Sequence, residues 1–122
     1  MTRTETLNKV LANLQSSAAD IEAAAVVSPD GLIIAHSLPQ GLEETQIAAM
    51  SAALLSMGVR TARELRRGQL EQLFVKGTEG FIVIMQAGPH AVLLTLARRD
   101  AKLGLIFLDV SRAAEEIKKT LA

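Results

Sequence analysis

From Thr45 to Val59 this chain carries no charged side chain, and that run sits inside a longer stretch, Leu42 to Arg67, with the spacing of one helix. On a helical wheel Ile47, Met50, Leu54, Met57 and Leu65 form one apolar stripe, and Ala48, Ala52, Leu55, Val59 and Ala62 form a second. A single stripe docks a helix on its own core, so two stripes require cover from two directions. The second cover is either more of this chain or a second copy of it, and we expect the second copy. Membrane insertion does not explain the run. It is shorter than the roughly 20 apolar residues that span a bilayer and is diluted by Ser51, Ser56 and Gly58.

The ends of this helix are marked by charge. Glu43 and Glu44 lie in the first turn and Arg60, Arg63, Arg66 and Arg67 crowd the last two, which suits the helix dipole. Gly68 stands where a left-handed C-terminal cap is expected.

Before this helix, Thr2–Ser17 is predicted to be helical, with a Thr2…Glu5 capping box and Leu7, Val10, Leu11 and Leu14 on one face. Ile21–Ser28 and Leu32–His36 read as strands of a hairpin around Pro29-Asp30-Gly31, because Gly31 supplies the positive φ such a turn needs. After the helix, Gln69–Lys76 reads as an edge or interface strand of mixed polarity, Phe81–Met85 as a central strand and Ala91–Ala97 as the next. Asp100 is a candidate N-cap for a last helix, Ala101–Leu121. The order α-β-β-α-β-β-β-α predicts one α+β domain over residues 1–122, an antiparallel five-stranded sheet with helices on both faces.

Thirteen basic residues balance thirteen acidic ones, so charge gives no reason to expect nucleic acid as a partner. The absence of Trp and Tyr removes base-stacking platforms, and the absence of Cys removes disulfides, thiol catalysis and zinc-thiolate sites. Cysteine-free composition and a polar N-terminus without a secretory pattern fit the cytoplasm. His36 and His90 stand beside no evident acid or nucleophile and read as structural or solvated. Gly77-Thr78-Glu79-Gly80 lacks the lysine and hydroxyl of a phosphate loop. Asp30 is explained by its turn, and the pairs Glu43–Glu44 and Glu115–Glu116 point in different directions along helices. No catalytic residue, metal ligand or cofactor site is expected. The arginine cluster reads either as a solvated helix end or as a docking patch for an acidic protein surface; a nucleic-acid patch has no support.

The element order and three stretches resemble the Roadblock/LC7 family, in its MglB-like bacterial or archaeal type. They are Ala24–Ala35 with its Asp-Gly turn, the uncharged central helix, and Asp100-Ala101-Lys102-Leu103-Gly104-Leu105 at the entry to the last helix. The resemblance implies a profilin-like sheet ordered 2-1-5-4-3, with the long central helix on one face and the terminal helices on the other. It implies a homodimer in which central helices pack together and third strands pair edge to edge. Ile47, Met50, Leu54, Met57, Leu70 and Phe74 are then the dimer-interface candidates. It further implies binding to a small Ras-like GTPase without binding nucleotide, or a scaffold role indifferent to nucleotide state. Elimination leaves the polar end of the central helix, Arg60, Arg63, Glu64 and Arg67, as the candidate partner-binding site.

Overall fold

A computed structural model describes residues 1–122, which run α1 (Arg3–Ser17), β1 (Ile21–Val27), β2 (Ile33–Ser37), α2 (Glu44–Glu64), β3 (Leu73–Gly77), β4 (Gly80–Gln86), β5 (Val92–Arg98) and α3 (Leu103–Thr120). All neighbouring strands are antiparallel, in the order β2-β1-β5-β4-β3. The element order and sheet order are those expected from the sequence. β1, between β2 and the central strand β5, is Ala and Val from Ala23 to Val27 with every one of these residues fully buried. Small side chains there let a helical layer approach each face.

The two layers are unequal. Leu7, Leu11, Val26, Leu93, Val110 and Ile117 belong to a core of 21 buried residues between the sheet and the α1/α3 pair. The opposite face holds a core of only 7, including Ala25, Val27, Ile84 and Leu94, under α2. α2 contributes just Ala48, Ser51 and Leu55 as buried residues. The buried Ser51 hydroxyl donates to the Ile47 carbonyl at 2.7 Å, so it needs no partner from the sheet. The β1–β2 turn tucks beneath this helix. Gly31 has φ +91°, and a Cβ there would lie 3.5 Å from the Ala49 Cα, so glycine serves both the turn and the close approach.

Local chemistry explains most element ends. Thr2 caps α1, its hydroxyl oxygen accepting from the Glu5 N–H at 3.1 Å. Two expected caps are overturned. Asp100 does not cap α3, which starts at Leu103 after Lys102 without any side-chain cap bond. β5 runs on to Arg98, whose N–H donates to the Asp20 carbonyl, and Asp100 lies in the following turn with its Oδ1 3.6 Å from Arg98 Nε. Nor does Gly68 cap α2. The helix stops at Glu64, and Arg66 takes the left-handed position with φ 58°. The Arg67 N–H then donates to Ala62 at 2.7 Å and the Arg66 N–H to Arg63 at 3.1 Å, the bond pair of a Schellman motif.

The third strand is shorter than Gln69–Lys76. Leu70 does not extend the ladder but folds back on α2, where the missing side chain of Gly58 leaves room: a Cβ there would lie 3.1 Å from a Leu70 methyl.

Candidate functional site

The outward stripe of α2 and the sheet beside it form one open apolar surface. Ala48 and Leu55 face the sheet, so the Ala48–Ala62 stripe covers the chain's own core. The other stripe is left out: Met50 is 52 % exposed, Met57 61 % and Leu65 65 %. Ile47 and Leu54 are half-buried at the junction with the sheet. Between this flank and strands β4 and β5 lies a hollow of about 180 Å³ lined by Leu42, Ile47, Met50, Leu54, Ile82 and Leu96. Further along, Leu54, Met57, Leu65, Arg67, Leu70 and Leu73 line a second of about 400 Å³.

Five of the six sequence-derived interface candidates, Ile47, Met50, Leu54, Met57 and Leu70, therefore share this surface. Phe74 does not. Strand alternation puts Leu73 on the α2 side and Phe74 on the other, where its ring sits 5.7 Å from that of Phe107 in α3. The residues that sequence reasoning missed are Leu42, Leu73, Val75, Ile82 and Leu96. Period-two alternation counted along β3, β4 and β5 would have identified the strand members.

Two of the charged candidates pair with each other. Arg60 Nε lies 2.9 Å from Glu64 Oε1, and both side chains are more than half exposed. Arg63, three residues after Arg60, is exposed, and Arg67 borders the apolar hollow described above. Surface pairs of this kind contribute about 0–1 kcal/mol.

His36 corrects the sequence expectation of a histidine without an acid. Its Nε2 is 2.8 Å from Glu44 Oε1, tying β2 to the first turn of α2, while its Nδ1 is buried without a partner. His90 is exposed. Asp30 accepts from the Ser28 hydroxyl, and that bond, with one from its own backbone N–H, holds its carboxyl below the usual carboxylate value. No three His, Asp or Glu side chains converge as metal ligands. No helix is long and apolar enough to cross a membrane.

The Roadblock/LC7 domain matches residues 7–97 of this sequence. The chain belongs to the Roadblock/LC7 family. Its similarity to the uncharacterized protein MJ1340 of Methanocaldococcus jannaschii is 36% identity over 112 residues, covering 92% of this chain and 96% of the relative. Among solved structures, the gliding protein MglB of Thermus thermophilus superposes with a TM-score of 0.87 at 20% identity, covering 98% of this chain and 91% of that one. Profilin II of Acanthamoeba castellanii superposes at 0.68 with 13% identity, covering 95% and 99%. At those identities the two structures speak for the fold: this Roadblock/LC7 chain has the profilin-like sheet with one helix on one face and two on the other.

Proposed function

We propose that this chain works as a homodimeric, non-catalytic Roadblock/LC7 unit that binds a small Ras-like GTPase and modulates its nucleotide cycle. The carrying observation is the uncovered stripe Met50, Met57 and Leu65 on α2, adjoining the half-buried Ile47 and Leu54. Large apolar side chains gathered on one helix flank mark an interaction surface. Burying them twice over, by two-fold symmetry, removes several hundred Å² per subunit from water. At about 25 cal/mol/Å² that is on the order of 10 kcal/mol gross, before association costs of similar size.

The GTPase part of the reading is supported by family membership. Regulation then comes from docking: the chain would bias the conformation of its partner without lending it a reacting group. Arg60, Arg63, Glu64 and Arg67 supply the polar contacts at the free end of α2, with arginine favoured for two-point pairing with carboxylates.

The test is capture of purified small GTPases, loaded with GTP or GDP, by the chain and by its Arg60→Glu/Arg63→Glu double variant. The proposal expects nucleotide-dependent capture that falls at least tenfold in the variant, with the dimer unchanged. Reversal at Arg60 also sets like charges at i and i+4 with Glu64, which costs the helix only about 0.2–0.5 kcal/mol. Equal capture in both nucleotide states favours an adaptor indifferent to nucleotide. Absence of capture refutes the GTPase reading.

A further inference from the structure

Arg66 stands in a conformation that the rest of the chain reserves for glycine. Its φ is 58°, and the other residues with positive φ are Gly31, Gly41, Gly68, Gly80 and Gly88. A left-handed backbone crowds the Cβ of an L residue against the carbonyl that follows, a contact that glycine escapes. The closure of α2 holds Arg66 there through two backbone bonds, its own N–H to Arg63 and the Arg67 N–H to Ala62. Neither bond uses a side chain, so glycine would close the helix equally well and without strain. Backbone strain of this kind collects at sites where a side chain serves something other than the fold.

Within the subunit the Arg66 guanidinium serves nothing. The residue is exposed, and the chain's ion pairs are His36–Glu44, Arg60–Glu64 and Arg98–Asp100. Arg60 is thus taken up by Glu64, whereas Arg63, Arg66 and Arg67 have no carboxylate partner. The helix dipole favours a cation in the last turn, and Arg63 supplies one without strain. The three unpaired arginines flank Leu65, which is 65 % exposed. Such a surface is complementary to carboxylates set beside an apolar side chain.

We infer that Arg66 is the specificity-determining contact at this end of α2, gripping one carboxylate of a folded protein partner in a two-point pair. The inference rests on the docking proposed above and adds a residue to it. An anionic membrane answers to the number of positive charges near its surface and is indifferent to which side chain carries them. It gives no reason to keep a planar fork at a strained position. A carboxylate fixed on a protein does, because the guanidinium binds it through two parallel N–H···O bonds and a rigid turn sets where the fork begins.

The test uses a purified small Ras-like GTPase, loaded with GTP or GDP, and measures its affinity for the parent and for single variants. Arg66→Gly should weaken capture by roughly tenfold or more, while resisting urea better than the parent and sedimenting as the parent does. Arg66→Lys keeps the charge and loses the fork, so it should stay at least about threefold weaker than the parent. Arg63→Ala should cost less than Arg66→Gly. Capture by Arg66→Gly within twofold of the parent overturns the assignment and leaves GTPase docking standing. Full capture by Arg66→Lys overturns the two-point pair, and an equal loss in Arg63→Ala overturns the choice of Arg66 from the cluster. Unchanged GTPase capture by Arg66→Gly, with loss of binding to phosphatidylcholine–phosphatidylserine vesicles, gives the residue to a lipid surface instead. A parent that captures no GTPase in either nucleotide state refutes the docking reading, and this inference with it.

Discussion

Met57→Ala separates the stripe that holds the subunit together from the exposed stripe proposed to meet a second copy. In the single chain Met57 is 61 % exposed and lines the larger apolar hollow of α2. Full burial of a methionine side chain stabilises by about 1.5–3 kcal/mol, so covering the remaining fraction contributes about 1–2 kcal/mol per subunit. Two-fold symmetry doubles this. The dimer dissociation constant should rise roughly 30- to 1000-fold, at about 1.4 kcal/mol per decade. The subunit should scarcely notice, since exposed substitutions fall within about 0.5 kcal/mol and alanine is the better helix former. Sedimentation velocity over a concentration series gives the dissociation constant, and urea unfolding below it gives subunit stability. A dissociation constant within threefold of the parent would refute the assignment of this stripe to a second copy. Leu55→Ala is the contrast: it empties a site 9 % exposed between helix and sheet and should cost the subunit about 2–5 kcal/mol.

Arg66→Gly should raise subunit stability by about 1 kcal/mol in urea titration, because glycine occupies φ 58° without the crowding an L side chain meets there. Gly80→Ala should lower it by about 2 kcal/mol, since a Cβ would stand 2.6 Å from the Ala97 carbonyl oxygen, a backbone atom that cannot swing away. Asp30→Asn should lower the melting temperature slightly at neutral pH. Because folding depresses the Asp30 pKa, its contribution is present above the unfolded value of about 3.9 and is lost as pH falls through the lower folded value. The gap in melting temperature between parent and variant should therefore be widest above about pH 5 and close in acid.

Elements and their order were legible because each has its own period: Leu7, Val10, Leu11 and Leu14 mark a helix, and the Pro29-Asp30-Gly31 turn marks a hairpin. The two stripes of α2 were legible for the same reason, although which one faced the sheet was not. Alanine and methionine are both apolar, and only the fully buried Ala-rich β1 favours the smaller stripe as the inner one. Helix ends were less legible because capping is decided by where the chain must go next. Leu70 returns to the gap at Gly58, so α2 ends early and closes on Arg66, although Gly68 is the better residue for a left-handed cap. Asp100 was misplaced for a similar reason: β5 extends to Arg98 and the acid is used in the turn beyond it. Phe74 was assigned to the third strand, and which face its ring takes was not legible, because mixed polarity on an edge strand does not reveal which face is which; the ring lies on the α3 side. The His36–Glu44 contact joins a strand to a helix across a loop, which no local pattern announces.

The unequal cores have a kinetic consequence. α2 is anchored to the sheet by three buried residues, whereas α1 and α3 share the larger core with it. Regions with few buried apolar contacts open at lower free energy than the molecule as a whole. Amides of α2 should then exchange with deuterium through local opening, while those of the sheet centre and of α3 wait for global unfolding. Binding a second copy against the outer stripe stabilises only the closed form, so opening of α2 should slow as protein concentration rises. The helix would be a segment whose order is completed by association, and its dwell time in the closed state would be set by how much of the chain is present.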